Sequence, residues 1–485
     1  MELPFTVVFE PPSRVELRAG LRMRRTWVAG ALLALAIGTP VLISTVAHTD
    51  AAASGVGVLL TVTSRPAGAG VALDGRDRGV TPLALHVEPG PHRVHLTAPA
   101  ALDGQYVVQV GDRPAALDAV LWRSQAVLTR LRPALPGATL TDVRLLADGQ
   151  LGLSIAVPPG HQMQAWRLDP RSGVLEPVLT AVTATRLIVS PDSQHVAFVG
   201  YAAGPPGPDA EVAGSAAAHP GVLWLVSGDH LESMAGWRAP LAAGEQLLDA
   251  SWSPRAERLL AVSGEALAGG ATRSRLWLVD ADGHHGRELL TLPSEVGVGS
   301  AVWSPDGQHV ALLAHAGALN ALCLVDLDGG FRYVADLDSA STAPLGYLPA
   351  TWSADSQRLV FVAPHQHPPG VPFHWLQPEP QHALYVANAT DPTPLSLGDT
   401  DVDFAAWRED GQLVGLGRQG IDHALAVRLV DGAASGQQPL ELPLRPASTY
   451  AALWDLARAR VLLASPSPAG GVDYWLATFG LDGAS

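Results

Sequence analysis

Apolar and polar positions recur as a phrase along the C-terminal part of the chain. Residues 302–314 read VWSPDGQHVALLA, and 49 residues later the chain reads TWSADSQRLVFVA. Each phrase joins two short apolar runs across a polar turn, the pattern of a strand, a tight turn and a second strand. Aligned on the octet WSPDGQHV, seven copies begin at Leu145, Val189, Trp252, Trp303, Trp352, Trp407 and Trp454, spaced 44 to 63 residues apart. A four-stranded propeller blade takes about 40–50 residues, and insertions lengthen single blades. Within the octet, Ser304-Pro305-Asp306-Gly307 suits a type I turn, since Pro presets φ at the second position and Gly suits the fourth. A third strand is predicted from AWRLD (165–169), LWLVS (223–227), LWLVD (276–280), LCLVD (322–326), LYVAN (384–388) and YWLAT (474–478). Turns such as Asp280-Ala281-Asp282-Gly283 then lead to a fourth. The last copy runs out before its fourth strand, while an unassigned strand-like run, 125–131, precedes the first copy. The pattern predicts that this run completes the seventh blade and closes the ring, leaving no open sheet edge.

The octets resemble WD40-like, TolB-type propeller repeats over 125–485. That resemblance implies a seven-bladed β-propeller and says little about function. Upstream, residues 57–122 alternate short β-rich runs with Gly, Pro and Asp turns, predicting a small antiparallel sandwich. The string TSRPAGAGVALDGRDRGVTPL resembles the PEGA domain family through Ser64, Pro66, Gly68, Ala69, Asp74, Gly75, Gly79, Thr81 and Pro82, with Ala67 where the family carries glutamate. The resemblance implies a non-catalytic surface β module. Asp74-Gly75 reads as a hairpin turn and Gly79 as a positive-φ position.

Residues 26–49 contain no charged side chain, and Arg14, Arg18, Arg22, Arg24 and Arg25 precede them. A transmembrane signal anchor is therefore expected over 26–48, with 1–25 cytoplasmic and the rest of the chain outside the cell membrane. A cleaved signal peptide is the alternative, and it exports the same residues. The overall expectation is an all-β chain: one N-terminal membrane helix, a PEGA-like domain over 57–122 and a propeller over 125–485.

Composition narrows the chemistry. Apolar residues make up 47% and charged residues 16% of 485, enough for a large core. The formal charge of −15, from 46 acidic against 31 basic residues, argues against nucleic acid as a partner. All 31 basic residues are arginine, which we attribute to a GC-rich coding bias. The one cysteine, Cys323, falls on a predicted buried strand, and a small apolar role fits it better than a nucleophile. The motifs G-x-S-x-G, H-E-x-x-H and the phosphate-binding loop are all missing.

Long insertions between second and third strands, at 200–221 and 363–382, place variable loops on one face, distal to the PEGA-like module. The 363–382 insertion carries His365, His367, Phe373, His374, Trp375 and His382, whose spacing matches no strong metal signature. These six are the candidate ligand-binding residues; no catalytic residue, metal or cofactor is assigned. The sequence favours a non-enzymatic, membrane-anchored scaffold that binds an envelope or extracellular protein, peptide or glycan. The alternatives are an extracytoplasmic hydrolase or lyase working at the central channel, and an envelope assembly or sensory subunit.

Overall fold

The computed structural model describes Phe5–Phe9 and residues 57–479, apart from 200–220, 228–234, 338–347, 365–381, 431–439, 445–449 and a set of shorter connections. Nine sheets account for every strand described.

Two of the sheets form the N-terminal module. One pairs Val58–Arg65 with Leu83–Val87 and Ala115–Val120; the other runs Arg76–Val80, Gly70–Leu73, Gly90–Thr97, Gly104–Val110. Alternating side chains such as Leu60, Val62, Val71, Leu73, Val94 and Leu96 meet between them as a closed core. The sandwich is not purely antiparallel as expected, because Val58–Arg65 and Ala115–Val120 run parallel. The chain crosses to the second sheet between these two strands, so it returns in the same direction. The quoted motif has a mechanical meaning. The Thr81 hydroxyl is buried, accepts the Gly68 and Ala69 amides at 3.1 Å each and shares a hydrogen bond with Ser64 Oγ. Asp74 (φ 49°) and Gly75 (φ 78°) make the hairpin, and Gly79 sits at φ 117°. Asp74 also accepts the Arg93 amide at 2.8 Å and pairs with His92 Nδ1 at 2.7 Å. The hydrogen bond between them holds the Asp74 carboxyl below its usual range and the His92 ring above its own.

The remaining seven sheets are consecutive four-stranded antiparallel blades, the last extended by a fifth strand, in a propeller-like, blade-repeat architecture. In the first six, strands follow in chain order; blade one, for example, is Thr139–Leu145, Leu151–Val157, Gln162–Leu168, Leu175–Thr183. Blade seven takes Ala451–Asp455, Arg460–Pro466 and Val472–Thr478 from the C-terminus and Val127–Pro133 from before blade one. The last two pair antiparallel, from Tyr474 opposite Leu131 to Thr478 opposite Val127. The closing strand thus lies two residues beyond the 125–131 expected. One apolar cluster joins blades six, seven and one with Leu102 and Trp122 of the N-terminal module, so the two termini of the repeat array share a core.

The repeated octet is a clasp between blades. Ser304 accepts the Gly307 amide through its carbonyl (2.9 Å), and its hydroxyl accepts the His309 amide (2.9 Å) and donates to Asp306 (2.6 Å). The tryptophan reaches backwards: the indoles of Trp252, Trp303 and Trp352 donate to the carbonyls of Ile188, Ser251 and Val302 in the preceding blade. The seventh octet position reaches forwards, with His195 against Trp252, His309 against Trp352 and Arg358 over Trp407. The copies at Trp303 and Trp352 thus touch both neighbouring blades, a role that falls on the tryptophan and the seventh position and not on the turn residues between them.

The fifth octet position is left-handed in every copy that turns this way: Gly149, Ser193, Ala256, Gly307 and Ser356 all have φ between 57° and 88°. A Cβ there costs about 1–2 kcal/mol, partly offset by the chain entropy glycine gives up on folding. Ala256→Gly should therefore raise stability by about 0.5–1 kcal/mol in urea denaturation; a lower midpoint would show that Ala256 packing outweighs the strain.

No helix among the described residues is long and apolar enough to cross a membrane, and 26–48 lies outside them. Moreover, Phe5–Phe9 pairs antiparallel with the closing strand, from Phe5 opposite Pro133 to Phe9 opposite Thr129.

Candidate functional site at the central channel

First strands of neighbouring blades contact one another in blades one to three and five to seven, and the first strands of every blade but the sixth line one cavity. Counting back three residues from the start of each octet gives one homologous position, on the first strand of six blades and just before it in blade five. It holds Asp142, Arg186, Asp249 and Ser300 in blades one to four, then Pro349, Phe404 and Ala451 in blades five to seven. The scaffold repeats, but its polar residues are confined to one sector.

Asp142, Arg186, Asp249 and Ser300 all line a cavity of about 410 Å³, together with Arg144 and Ser251. Trp352, Trp454 and Tyr474 contribute an aromatic wall. Three of the four polar positions follow a break in strand register, between Leu140 and Asp142, Leu247 and Asp249, and Val298 and Ser300. A bulge inserts an extra residue and re-aims the side chains beside it, here in three blades at the same place.

The charges are arranged as two acid–base pairs. Arg144 Nε donates to Asp142 Oδ2 at 2.7 Å. Arg186 Nε lies 2.7 Å from Asp249 Oδ1, but its N–H is not directed at that oxygen and has no hydrogen-bond partner. Asp249 Oδ1 instead accepts the Ala250 amide at 2.7 Å. The Asp249 side chain is 27% exposed, yet what it faces is the cavity interior rather than bulk water. Burial therefore pushes its carboxyl above the usual range, helped by the nearby Asp142 carboxylate and opposed by Arg186 and Arg144. A carboxyl raised by desolvation beside guanidinium groups in a cavity is a candidate for proton transfer, and the guanidinium groups suit an anionic ligand.

The donor set does not fit a divalent cation. Both carboxylates already face a guanidinium, and no histidine or further acid lines the cavity among the described residues. Asp280, Asp282 and His285 do converge elsewhere, with ligand atoms within 4.8 Å, but all three are exposed in a hairpin. That hairpin is held by Gly283 N to Asp280 O (3.0 Å) and His284 N to Asp282 Oδ1 (2.8 Å), which is the turn role expected. Cys323 is buried on Leu319–Asp326, where desolvation pushes its thiol up to about 12 and keeps it protonated.

The distal-loop candidates are not brought to this cavity. His365, His367, Phe373, His374 and Trp375 lie outside the described residues. His382 opens the strand His382–Asn388, half-buried, and its carbonyl accepts the Thr400 amide at 3.1 Å. The channel residues were missed because attention went to loop length. Read down the octet alignment, the column three residues upstream would have displayed them.

With the geometry described, comparisons place the chain. Residues 58–109 match the PEGA domain family, so the N-terminal module is a PEGA domain. None of the curated proteins searched matches the chain. Among solved structures it is similar to an oligogalacturonate lyase in complex with manganese (15% identity, 73% of this chain and 94% of that one, TM-score 0.46). It is also similar to the β-propeller domain of the Trilobed protease from Pyrococcus furiosus (12% identity, 71% and 96%, TM-score 0.38). A third is a Mycobacterium tuberculosis puromycin-hydrolyzing peptidase (17% identity, 70% of this chain, TM-score 0.43), of which the chain spans half the length. These likenesses concern the fold. The proteins so described are a lyase and peptidases, which runs against the expected non-enzymatic scaffold, and that reading is withdrawn.

Proposed function

We propose that this chain is a closed seven-bladed propeller of the WD40-like, TolB type that acts as a hydrolase or lyase at its central channel, on a ligand carrying a carboxylate. The observation that carries this reading is the confinement of Asp142, Arg144, Arg186 and Asp249 to one sector of a 410 Å³ cavity whose other wall is aromatic. Arg186, with its undirected Nε–H, and Arg144 hold the anionic group. Asp249 exchanges the proton: its carboxylate takes one from water as the water oxygen attacks the scissile bond, or from the carbon next to the bound carboxylate as a double bond forms, and the raised carboxyl returns that proton to the departing oxygen or nitrogen. The aromatic wall of Trp352, Trp454 and Tyr474 packs against the apolar or ring portion of the ligand.

The test uses the full chain against uronic-acid oligosaccharides and peptides with free C-terminal carboxylates, with cleavage read by mass spectrometry. Asp249→Asn should lower turnover about a hundredfold, the scale of one lost general base. The wild-type rate should fall as pH drops through a value above the ordinary carboxylate range, since the base works only when deprotonated. The stability contribution has the opposite sign. The folded Asp249 holds its proton more tightly than the unfolded one, so stability declines as pH rises through that window. Equal turnover by the variant, or no cleavage of either class by the wild type, would remove the proposal.

A further inference from the structure

A second cavity, of about 310 Å³, lies where the PEGA domain meets the propeller. The PEGA domain contributes Arg65 and Val120, blade one Pro170 and Arg171, and blade seven Ala457, Arg458, Arg460 and Thr478. Four of those eight residues are arginine and none is acidic, in a chain whose formal charge is −15.

The local carboxylates do not balance these charges. Arg458 and Arg460 both address Asp455, the first at 3.4 Å and the second through Nε at 3.0 Å. One carboxylate therefore serves two cations. Arg65 meets Asp118 at 3.3 Å, a pair more than half exposed on both sides and weak for that reason. Arg171 is exposed in the turn after Gln162–Leu168; its backbone amide donates to Asp169 at 2.9 Å, and its charge meets that carboxylate only across the exposed turn. Meanwhile Arg458 and Arg460 are fixed in place, donating to the carbonyls of Ala147 (3.0 Å) and Gly149 (2.7 Å). Rigid guanidinium groups with excess positive charge, converging from two domains, match a tetrahedral oxyanion better than any cation or apolar ligand.

We infer that this junction is an anion site that takes a phosphate monoester and, by engaging Arg65 on one side and Arg171 and Arg458 on the other, ties the PEGA domain to the propeller. The inference is independent of the channel chemistry. Two sources share that ligand chemistry, a soluble phosphate monoester and the phosphatidic acid headgroup.

Calorimetry on the full chain with glycerol 3-phosphate, against chloride at matched ionic strength, tests the site. Saturable binding by the wild type, weakened at least tenfold in Arg171→Gln, is expected. Arg171 is exposed and its charge acts only on the exposed Asp169 turn, so Arg171→Gln should leave the fold intact, checked by an unchanged urea midpoint; Arg65→Gln gives the same test from the PEGA side. Cosedimentation with vesicles containing phosphatidic acid, also lost in Arg171→Gln, would assign the headgroup as the source, and binding of the soluble ester alone would assign the free ester. Failure of the wild type to bind either probe above chloride, or unchanged affinity in both variants, would overturn the inference.

Discussion

Replacing Arg460 by methionine is expected to lower the stability of the full chain by about 3–5 kcal/mol, the usual cost of removing one partner from a buried ion pair. Arg460 is 4% exposed and sits where the end of the repeat array meets its beginning. Its Nη2 donates 2.7 Å to the Gly149 carbonyl in the first octet turn, while Nε and Nη2 hold Asp455 in the last blade. Loss of the guanidinium leaves a buried carbonyl without its donor and a nearly buried carboxylate with only the longer contact to Arg458. The methylene stem is kept by methionine, so the loss reports the charge and its hydrogen bonds rather than packing. Urea denaturation at neutral pH gives the number. A change below about 1 kcal/mol, the worth of an exposed pair, would mean the seam between blades seven and one is held by apolar contact alone.

Leu131→Asp should act more severely at the same seam. Leu131 is 2% exposed on the closing strand, opposite Tyr474 and inside the cluster that joins blades six, seven and one. An aspartate there either buries an unpaired charge or pulls the strand out to reach water, and both outcomes leave Val472–Thr478 with an open edge. The expected loss exceeds about 4 kcal/mol, with proteolysis first appearing between the PEGA domain and blade one. Leu131→Ala, at about 2–5 kcal/mol, is the graded control because it leaves a cavity without a charge. Cooperative unfolding at an unchanged midpoint in the aspartate variant would show that closure adds little to stability.

How much of this was legible in the sequence depends on which feature is asked about. The octet phrase announced strand, turn and strand, and the chain's shortage of a fourth strand after YWLAT pointed to one before blade one. The buried role of Cys323 followed from its place in LCLVD. Those readings work because strand alternation and turn residues are local. The clasp formed by Trp303 and His309 is not local: its partners, Ser251 and Trp352, lie in neighbouring blades, and only the stacking of blade on blade makes them adjacent. The channel lay between these cases. Asp142, Arg186, Asp249 and Ser300 occupy one column of the alignment, but a bulge one residue upstream decides where three of them point, and no turn residue marks it. The parallel strand pair of the PEGA domain was illegible for the same reason, as pairing direction is set by the path between strands. FTVVF at Phe5–Phe9 reads as a strand only once its partner edge is known.

The closing strand has a consequence for how the molecule is made. Val127–Pro133 leaves the ribosome roughly 340 residues ahead of its partner Val472–Thr478, and at about 5–20 residues per second that gap lasts from some twenty seconds to more than a minute. Through that interval blades one to six can form in order, each on its own consecutive strands, while the strand destined for blade seven waits without its inner partner. Phe5–Phe9, synthesised earlier still, is already present to cover its other edge. Birth order thus makes this pairing the latest of the strand pairings described, and an interrupted nascent chain keeps an exposed strand edge just after its PEGA domain.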